Sequence, residues 1–198
     1  MPHPTPWIGF GRLVDLLQGQ RVVVLSGAGV STESGIPDYR GPSTRTEDHT
    51  PIQASEFLSE PETRRHYWAR SAIGWPSFNA TTPNPGHRAL AQLERAGVVK
   101  GIITQNVDRL HQAAGSRRVV ELHGALAEVE CLDCGSLTDR SSEQARMLAV
   151  NGGWTDRAAA LAPDGDADLP RSATQSFRVP ACRHCGGTLK PHVVFFGG

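Results

Sequence analysis

The chain's only four cysteines fall in two C-x-x-C pairs, "CLDC" at 131–134 and "CRHC" at 182–185. A pair at that spacing grips one metal ion from a single turn, and two pairs make a tetrahedral all-sulfur site. The glycines of "CGS" and "CGG" supply the tight turns. Cys131, Cys134, Cys182 and Cys185 are therefore assigned to one zinc ion. With all four positions filled by sulfur, the site is closed and structural, and the chemistry lies elsewhere. The alternative is two redox pairs, but neither pair opens a thioredoxin-like helix. Cysteines clustered in this way also point to a reducing compartment.

Before Cys131 the chain alternates strand and helix. Helical spacing runs over 8–18, and "RVVVLS" at 21–26 is expected as a buried parallel strand. Helices follow at 61–75, opened by Pro61, and at 84–97, closed by Gly97. Next come a strand at 98–105, a helix at 107–115 and strands at 119–124 and 126–131. The alternation predicts an α/β, Rossmann-like parallel sheet over 1–130. Residues 131–186 form a small zinc-binding module, whose turn-rich insert ("NGGW", "APDGDADLP") is expected as an irregular loop. Residues 187–198 return as a strand. An open sheet seldom ends on a bare apolar strand, so the domain is expected to be truncated at its C-terminus, or this strand to be an edge needing a partner.

Lysine plus arginine and aspartate plus glutamate both number 20, so the formal charge is zero. That gives no long-range attraction for nucleic acid or acidic membranes. The longest apolar runs, "VVVL" and "VVFF", are too short to span a bilayer, and the N-terminus lacks a secretory pattern.

Three polar stretches carry candidate chemistry. In "LSGAGVSTESGIPDYRG", Gly27 and Gly29 follow the first strand, where small residues let backbone N–H groups approach a phosphate; a plain tight turn is the alternative. There is no P-loop lysine, and no acidic residue ends a second strand about 20 residues on, as a dehydrogenase fingerprint requires. In "TQNVDRLH", Gln105, Asn106 and Asp108 sit where strand gives way to helix, at the usual ligand edge of such a sheet. Helix capping by Asn106 or Asp108 is the alternative. In "ELHG", His123 ends a strand as a candidate general base, or as an ordinary surface histidine.

In order, "GAGVSTESGIPDYRG", "TQNVDRLHQAAG", "ELHG", the paired C-x-x-C and "LKPHVVFFG" resemble the sirtuins, NAD-dependent protein deacylases, from about residue 13 to the end. "YWARSAIGWPSFNATTPNPGHRAL", "CLDCG" and the long inter-cysteine insert resemble the class II branch, which includes a mitochondrial lipoamidase and ADP-ribosyltransferase. The resemblance implies NAD as cofactor, one structural zinc ion and an acyl-lysine protein as substrate. It implies that Gly27, Ala28 and Gly29 form the phosphate site, that Ile36, Asp38 and Tyr39 line the nicotinamide and ribose path, and that Arg40 orders the loop. Asn106 and Asp108 would form the nicotinamide pocket, and Gln105 would contact the ribose. His123 would take a proton from the ribose hydroxyls as the acyl group moves to ADP-ribose. Tyr67 and Arg70 have the spacing of a pair that reads acidic acyl groups, with an exposed helix arginine as the alternative. Val193 and Phe195 would border the acyl-lysine tunnel. His192 stands where many members carry aspartate. Members usually continue well past the position of Gly198, so weak NAD affinity is expected of this chain alone. Mono-ADP-ribosyl transfer and an inactive scaffold remain alternative functions. A cytoplasmic location is expected if the source is bacterial.

Overall fold

The computed structural model describes residues 9–38, 52–157, 159 and 166–198. Its first sheet is parallel, with β1 (Val22–Ser26), β2 (Val99–Thr104) and β3 (Val119–Glu121) in that order. Leu25 lies opposite Ile103, and Thr104 opposite Glu121. Helix α1 (Phe10–Leu17) precedes β1, and α2 (Ala54–Ser59), α3 (Pro61–Asn79) and α4 (Pro85–Arg95) lie between β1 and β2. The ends of α4 follow local chemistry. The Asn84 side chain accepts from the His87 N–H, the Asn84 N–H donates to His87 Nδ1, Pro85 opens the helix and Gly97 leaves it at φ 77°.

The second sheet is antiparallel, in the order β5 (Leu137–Asp139), β4 (Gly124–Cys131), β6 (Leu189–Val193). Gly124 joins the two sheets at φ 74°, where a Cβ would lie 2.1 Å from the His192 carbonyl oxygen, so only glycine fits. Residues 126–131 are thus a strand, as expected, but of this sheet and not the parallel one.

The core lies between this sheet and α3. Trp68, Ala69 and Ala72 pack with Phe57, Val129, Met147, Trp154, Phe177 and Leu189. Both buried indoles have partners: Trp68 Nε1 donates to the Leu189 carbonyl at 3.1 Å and Trp154 Nε1 to that of Ala69 at 2.9 Å.

Three expectations are corrected. Strand β1 is parallel but not buried, since Val23 and Leu25 are 60% and 68% exposed. Its outward face lies open among the described residues, and α1 buries none of its own side chains. Helix α5 spans only Leu110–Ala113, because Arg109 takes a left-handed conformation and the chain turns there before it coils. Among the described residues the insert between the cysteine pairs is not an irregular loop throughout: "NGGW" turns as expected and 158 and 160–165 lie outside the described residues, but regular elements fill 137–150. It holds β5, the helix α6 (Arg140–Val150) and 3-10 turns at Trp154–Asp156 and Arg171–Thr174. Asp139 caps α6 by accepting from the Ser142 N–H at 2.8 Å, and Met147 and Trp154 enter the core. Among the described residues no helix is long and apolar enough to cross a membrane.

Candidate functional site

The polar stretches meet at the C-terminal ends of β1 and β2. Ser31, in the 3-10 turn Ala28–Ser34, is the stitch between them. Its hydroxyl donates to Asp108 Oδ2 at 2.6 Å and accepts from Asn106 Nδ2 at 3.0 Å. Asp108 Oδ1 accepts from the Leu110 N–H at 2.9 Å, so the carboxylate is held on both sides. The Asn106 N–H donates to Thr104 Oγ1, and Asn84 Nδ2 donates to the Val30 carbonyl at 2.7 Å, pinning the loop to α4. The structure thus joins Asn106 and Asp108 to the glycine loop. Asp108 also holds the Leu110 N–H at the start of α5, whose N-cap residue is Arg109, so of the two expected capping residues only Asp108 acts on the helix.

Gly27 and Gly29 have no positive φ, and a Cβ on either would meet nothing within 4 Å. The fold itself does not demand glycine there. What glycine provides is open space beside backbone N–H groups at the start of a helical turn, where the first donors have no internal partner. This leaves room for a phosphate-bearing ligand, and the tight turn is present as well, closed by the Val30 N–H on the Gly27 carbonyl at 3.0 Å. Ile36 and Asp38 follow the turn, half-buried, with the Ile36 N–H bonded to the Ser31 carbonyl at 3.3 Å. Tyr39 and Arg40 lie outside the described residues.

His123 Nδ1 lies 2.9 Å from the Gln105 carbonyl oxygen. A carbonyl only accepts, so Nδ1 carries the proton and Nε2 keeps its lone pair. The exposed Gln105 is placed by its own N–H, which donates to the Ser26 carbonyl at 3.1 Å. The Val194 N–H donates to the His123 carbonyl at 3.0 Å, which brings the 193–195 stretch beside the histidine.

Two further histidines underlie the site, and sequence reasoning passed over both. His111 Nε2 is 2.9 Å from Ser26 Oγ, which donates to Thr104 Oγ1 at 2.9 Å. His87 packs edge-on to His111, with ring centroids 4.9 Å apart. His87 Nε2 and His111 Nδ1 are buried without a hydrogen bond. Burial pushes the pKa of both rings below the ordinary histidine value; for His111 the neighbouring His87 adds to this, while Asp108 opposes it in both. The signal for His87 was legible, since "NPGH" has the spacing of a capping box. His111 and Ser31 gave no local signal.

Tyr67 and Arg70 lie in α3 and are 7% and 5% exposed. The exposed-arginine alternative is therefore overturned. Arg70 Nε donates to the Ala167 carbonyl at 2.7 Å, and the Arg70 carbonyl accepts from the Ala167 N–H at 3.2 Å. Burial comes from position: α3 is covered on nearly every side, with no polar face to offer. Phe195 packs on Tyr67 and Phe57, with centroids 5.5 and 4.8 Å away, and Val193 is half-buried at the end of β6.

The four cysteine sulfurs lie within 4.8 Å of one another. Zn–S bonds of about 2.3 Å in a tetrahedron place sulfurs about 3.8 Å apart. The Cys131–Cys185 and Cys134–Cys182 separations are 3.5 and 3.9 Å. Backbone N–H groups of His184 and Gly187 point at Cys182 and Cys185 sulfurs, as knuckles around a metal thiolate do. The Ser136 hydroxyl and the backbone N–H groups of Cys185 and His184 bring Cys182 down to about 6. Against the pull of the Gly187 N–H, the Cys131 and Cys134 thiols push Cys185 up to about 12. Four sulfurs this close cannot all ionise without a cation between them, and a divalent ion fits.

The Sir2 family model matches residues 27–198. The chain is 54% identical over 185 residues to NAD-dependent protein deacetylase 1 of Streptomyces coelicolor, covering 93% of this chain and 62% of that protein. It is 51% identical over 182 residues to the mitochondrial NAD-dependent protein lipoamidase sirtuin-4 of Bos taurus, covering 90% and 58%. A solved Sir2–p53 peptide–NAD+ structure superposes with TM-score 0.64 at 32% identity, covering 94% of this chain and 64% of that one. The chain thus spans about three-fifths of the length of these curated relatives.

Proposed function

The chain belongs to the Sir2 family, and from that premise we propose that it acts as an NAD-dependent protein-lysine deacylase of the class II type. The carrying observation is His123: its Nδ1 proton is fixed on the Gln105 carbonyl, so Nε2 is a base at the rim of the Ser31–Asn106–Asp108 cluster.

When bound, NAD supplies an activated ribosyl carbon with nicotinamide as the leaving group. The loop over Gly27, Ala28 and Gly29 would hold its phosphates, and Asn106 and Asp108 its nicotinamide. Asn106 is 8% exposed, so its amide works where water is scarce and its hydrogen bonds carry more weight. Asp108 stays an acceptor, fixed by Ser31 and the Leu110 N–H. His123 Nε2 would take a proton from a ribose hydroxyl, with the Gln105 carbonyl holding the Nδ1 proton. Neither step needs the sulfur site, whose zinc would hold β4 and β6 together.

The acyl group favoured is uncharged. Arg70 is buried with its Nε on the Ala167 carbonyl, and the chain that bonds the His123 carbonyl through the Val194 N–H continues into Phe195, which packs on Tyr67 and Phe57. The similarity to a lipoamidase supports the same choice. The test is mass spectrometry of the zinc-loaded chain with NAD and acetyl-, succinyl-, lipoyl- and long-chain acyl-lysine peptides. O-acyl-ADP-ribose from a neutral acyl peptide and none from the succinyl peptide is the expected result. A folded, zinc-loaded chain that yields none from any peptide overturns the reading. A mass gain on protein in place of the small product assigns ADP-ribosyl transfer instead.

A further inference from the structure

We propose that Arg109 is a positioning residue, a clamp that sets the 105–108 loop by reaching carboxylates on both sheets. The proposal rests on reading that loop as the nicotinamide pocket.

Arg109 has φ 59° and ψ 19°, and is the single non-glycine residue with positive φ among the described residues. A side chain with Cβ resists that conformation. The twist is nonetheless what turns the Leu110 N–H back onto Asp108 Oδ1 and leaves Oδ2 for Ser31. The shape of the pocket's carboxylate therefore depends on a backbone state that arginine disfavours, and something must hold it.

The side chain supplies the hold. Arg109 Nε donates to Glu121 Oε1 at 3.2 Å, and Nη2 donates to Glu128 Oε1 at 2.7 Å and to Glu121 Oε2 at 3.4 Å. Glu121 ends β3, two residues before His123, and also accepts from Gln112 Nε2 at 2.8 Å. Glu128 lies in β4, and its other oxygen meets His192 Nδ1 in β6 at 2.9 Å. One guanidinium thus ties the residue beside Asp108 to the strand that delivers His123 and to the strand that pairs with β6. The planar fork suits two carboxylates at once, which a lysine cannot match.

Arg109→Gly separates the two parts. Glycine takes the left-handed state freely, so the backbone is relieved while the clamp is lost. Amide hydrogen exchange on the zinc-loaded chain reads the result. The expected outcome is exchange about 10-fold faster over residues 105–110, an unchanged rate elsewhere and a melting temperature equal or higher. Unchanged exchange over 105–110 overturns the proposal. So does faster exchange throughout both sheets with a lower melting temperature, which makes Arg109 a general brace. Should the glycine chain not fold, Glu128→Gln is read in the same way: a local rise supports the clamp and no rise overturns it. In a chain that consumes NAD, Arg109→Gly also raises the nicotinamide inhibition constant about 10-fold at unchanged KM for acyl peptide, and Arg109→Lys recovers part of it; an unchanged constant overturns the positioning role. Exchange needs no turnover, so failure of the deacylase reading and failure of the clamp are seen separately.

Discussion

Around α3 nearly every side of a helix is covered, while the outward face of β1 is bare among the described residues. Trp68, Ala69 and Ala72 are fully buried against β4, α6 and the cysteine module. Val23, Leu25 and Val120 on the parallel sheet are more than half exposed. Yet the candidate chemistry sits on the thinly covered sheet, at the ends of β1 and β2. There the side chains are held by hydrogen bonds between Ser26, Ser31, Thr104, Asn106, Asp108 and His111, and only in part by packing. The two regions divide the work: the aromatic and cysteine half gives stability, and the open half gives polar groups within reach of a ligand.

Metal removal should show the division most sharply. The four sulfurs join the end of β4 to the turn before β6, and the shared core lies directly behind them. Metal binding is worth about 10–16 kcal/mol in zinc-finger peptides, and a smaller but still decisive share is expected where a core already exists. Chelation at neutral pH should abolish the cooperative thermal transition seen by circular dichroism, and Cys182→Ser should do the same. An unchanged melting temperature after complete metal loss, checked by elemental analysis, breaks the comparison. Next in size is Trp68→Ala, expected to cost about 3–5 kcal/mol by urea unfolding, because it opens a fully buried site and strands the Leu189 carbonyl.

Much of this could be read from local chemistry. Pro61, Asn84 with Pro85, and Gly97 mark helix ends by rules that act within a few residues, and the sulfur site follows from spacing alone. Helix α6 was hidden because its inward face carries Arg140, Glu143 and Gln144 where an apolar stripe was sought. Arg140 is buried between Trp68 and Trp75, 5.3 and 4.9 Å from their ring centroids, and no periodicity announces a buried cation. Arg70 escaped for the same reason. The exposure of β1 was illegible because an apolar run does not say what covers it. At the site, Asn106, Asp108 and His123 were found from their places at strand ends. Ser31 and His111 were missed because their partners lie 75 to 85 residues away in sequence.

Acid should weaken the hydrogen-bonded half in its own way. His87 and His111 are buried, and their folded pKa values lie below the unfolded value of about 6.5. Below that pH the unfolded chain binds protons that the folded chain refuses. Stability is therefore complete above pH about 6.5 and falls as the pH drops from there toward the lowered folded values. Urea midpoints at pH 7.5 and 5.5 should differ accordingly, and His111→Asn should flatten the difference. Equal slopes in the two chains would place the acid sensitivity elsewhere.

The smallest effect expected is on the bare face. Leu25 is 68% exposed in β1 opposite Ile103, so little of its side chain is withdrawn from water on folding. Burial contributes about 25 cal/mol per Å² of apolar surface, and an exposed side chain forfeits most of that. Leu25→Thr keeps a residue that favours strands, so the change should stay within about 0.5 kcal/mol, with the urea dependence unaltered. That is several-fold less than Trp68→Ala, although both remove apolar bulk from regular structure. A loss above about 1 kcal/mol would mean that the face is covered in solution. If that loss grows with protein concentration, the cover is another copy of the chain. If it does not, the cover lies within the same molecule, and the contrast between the two regions narrows to their hydrogen bonding alone.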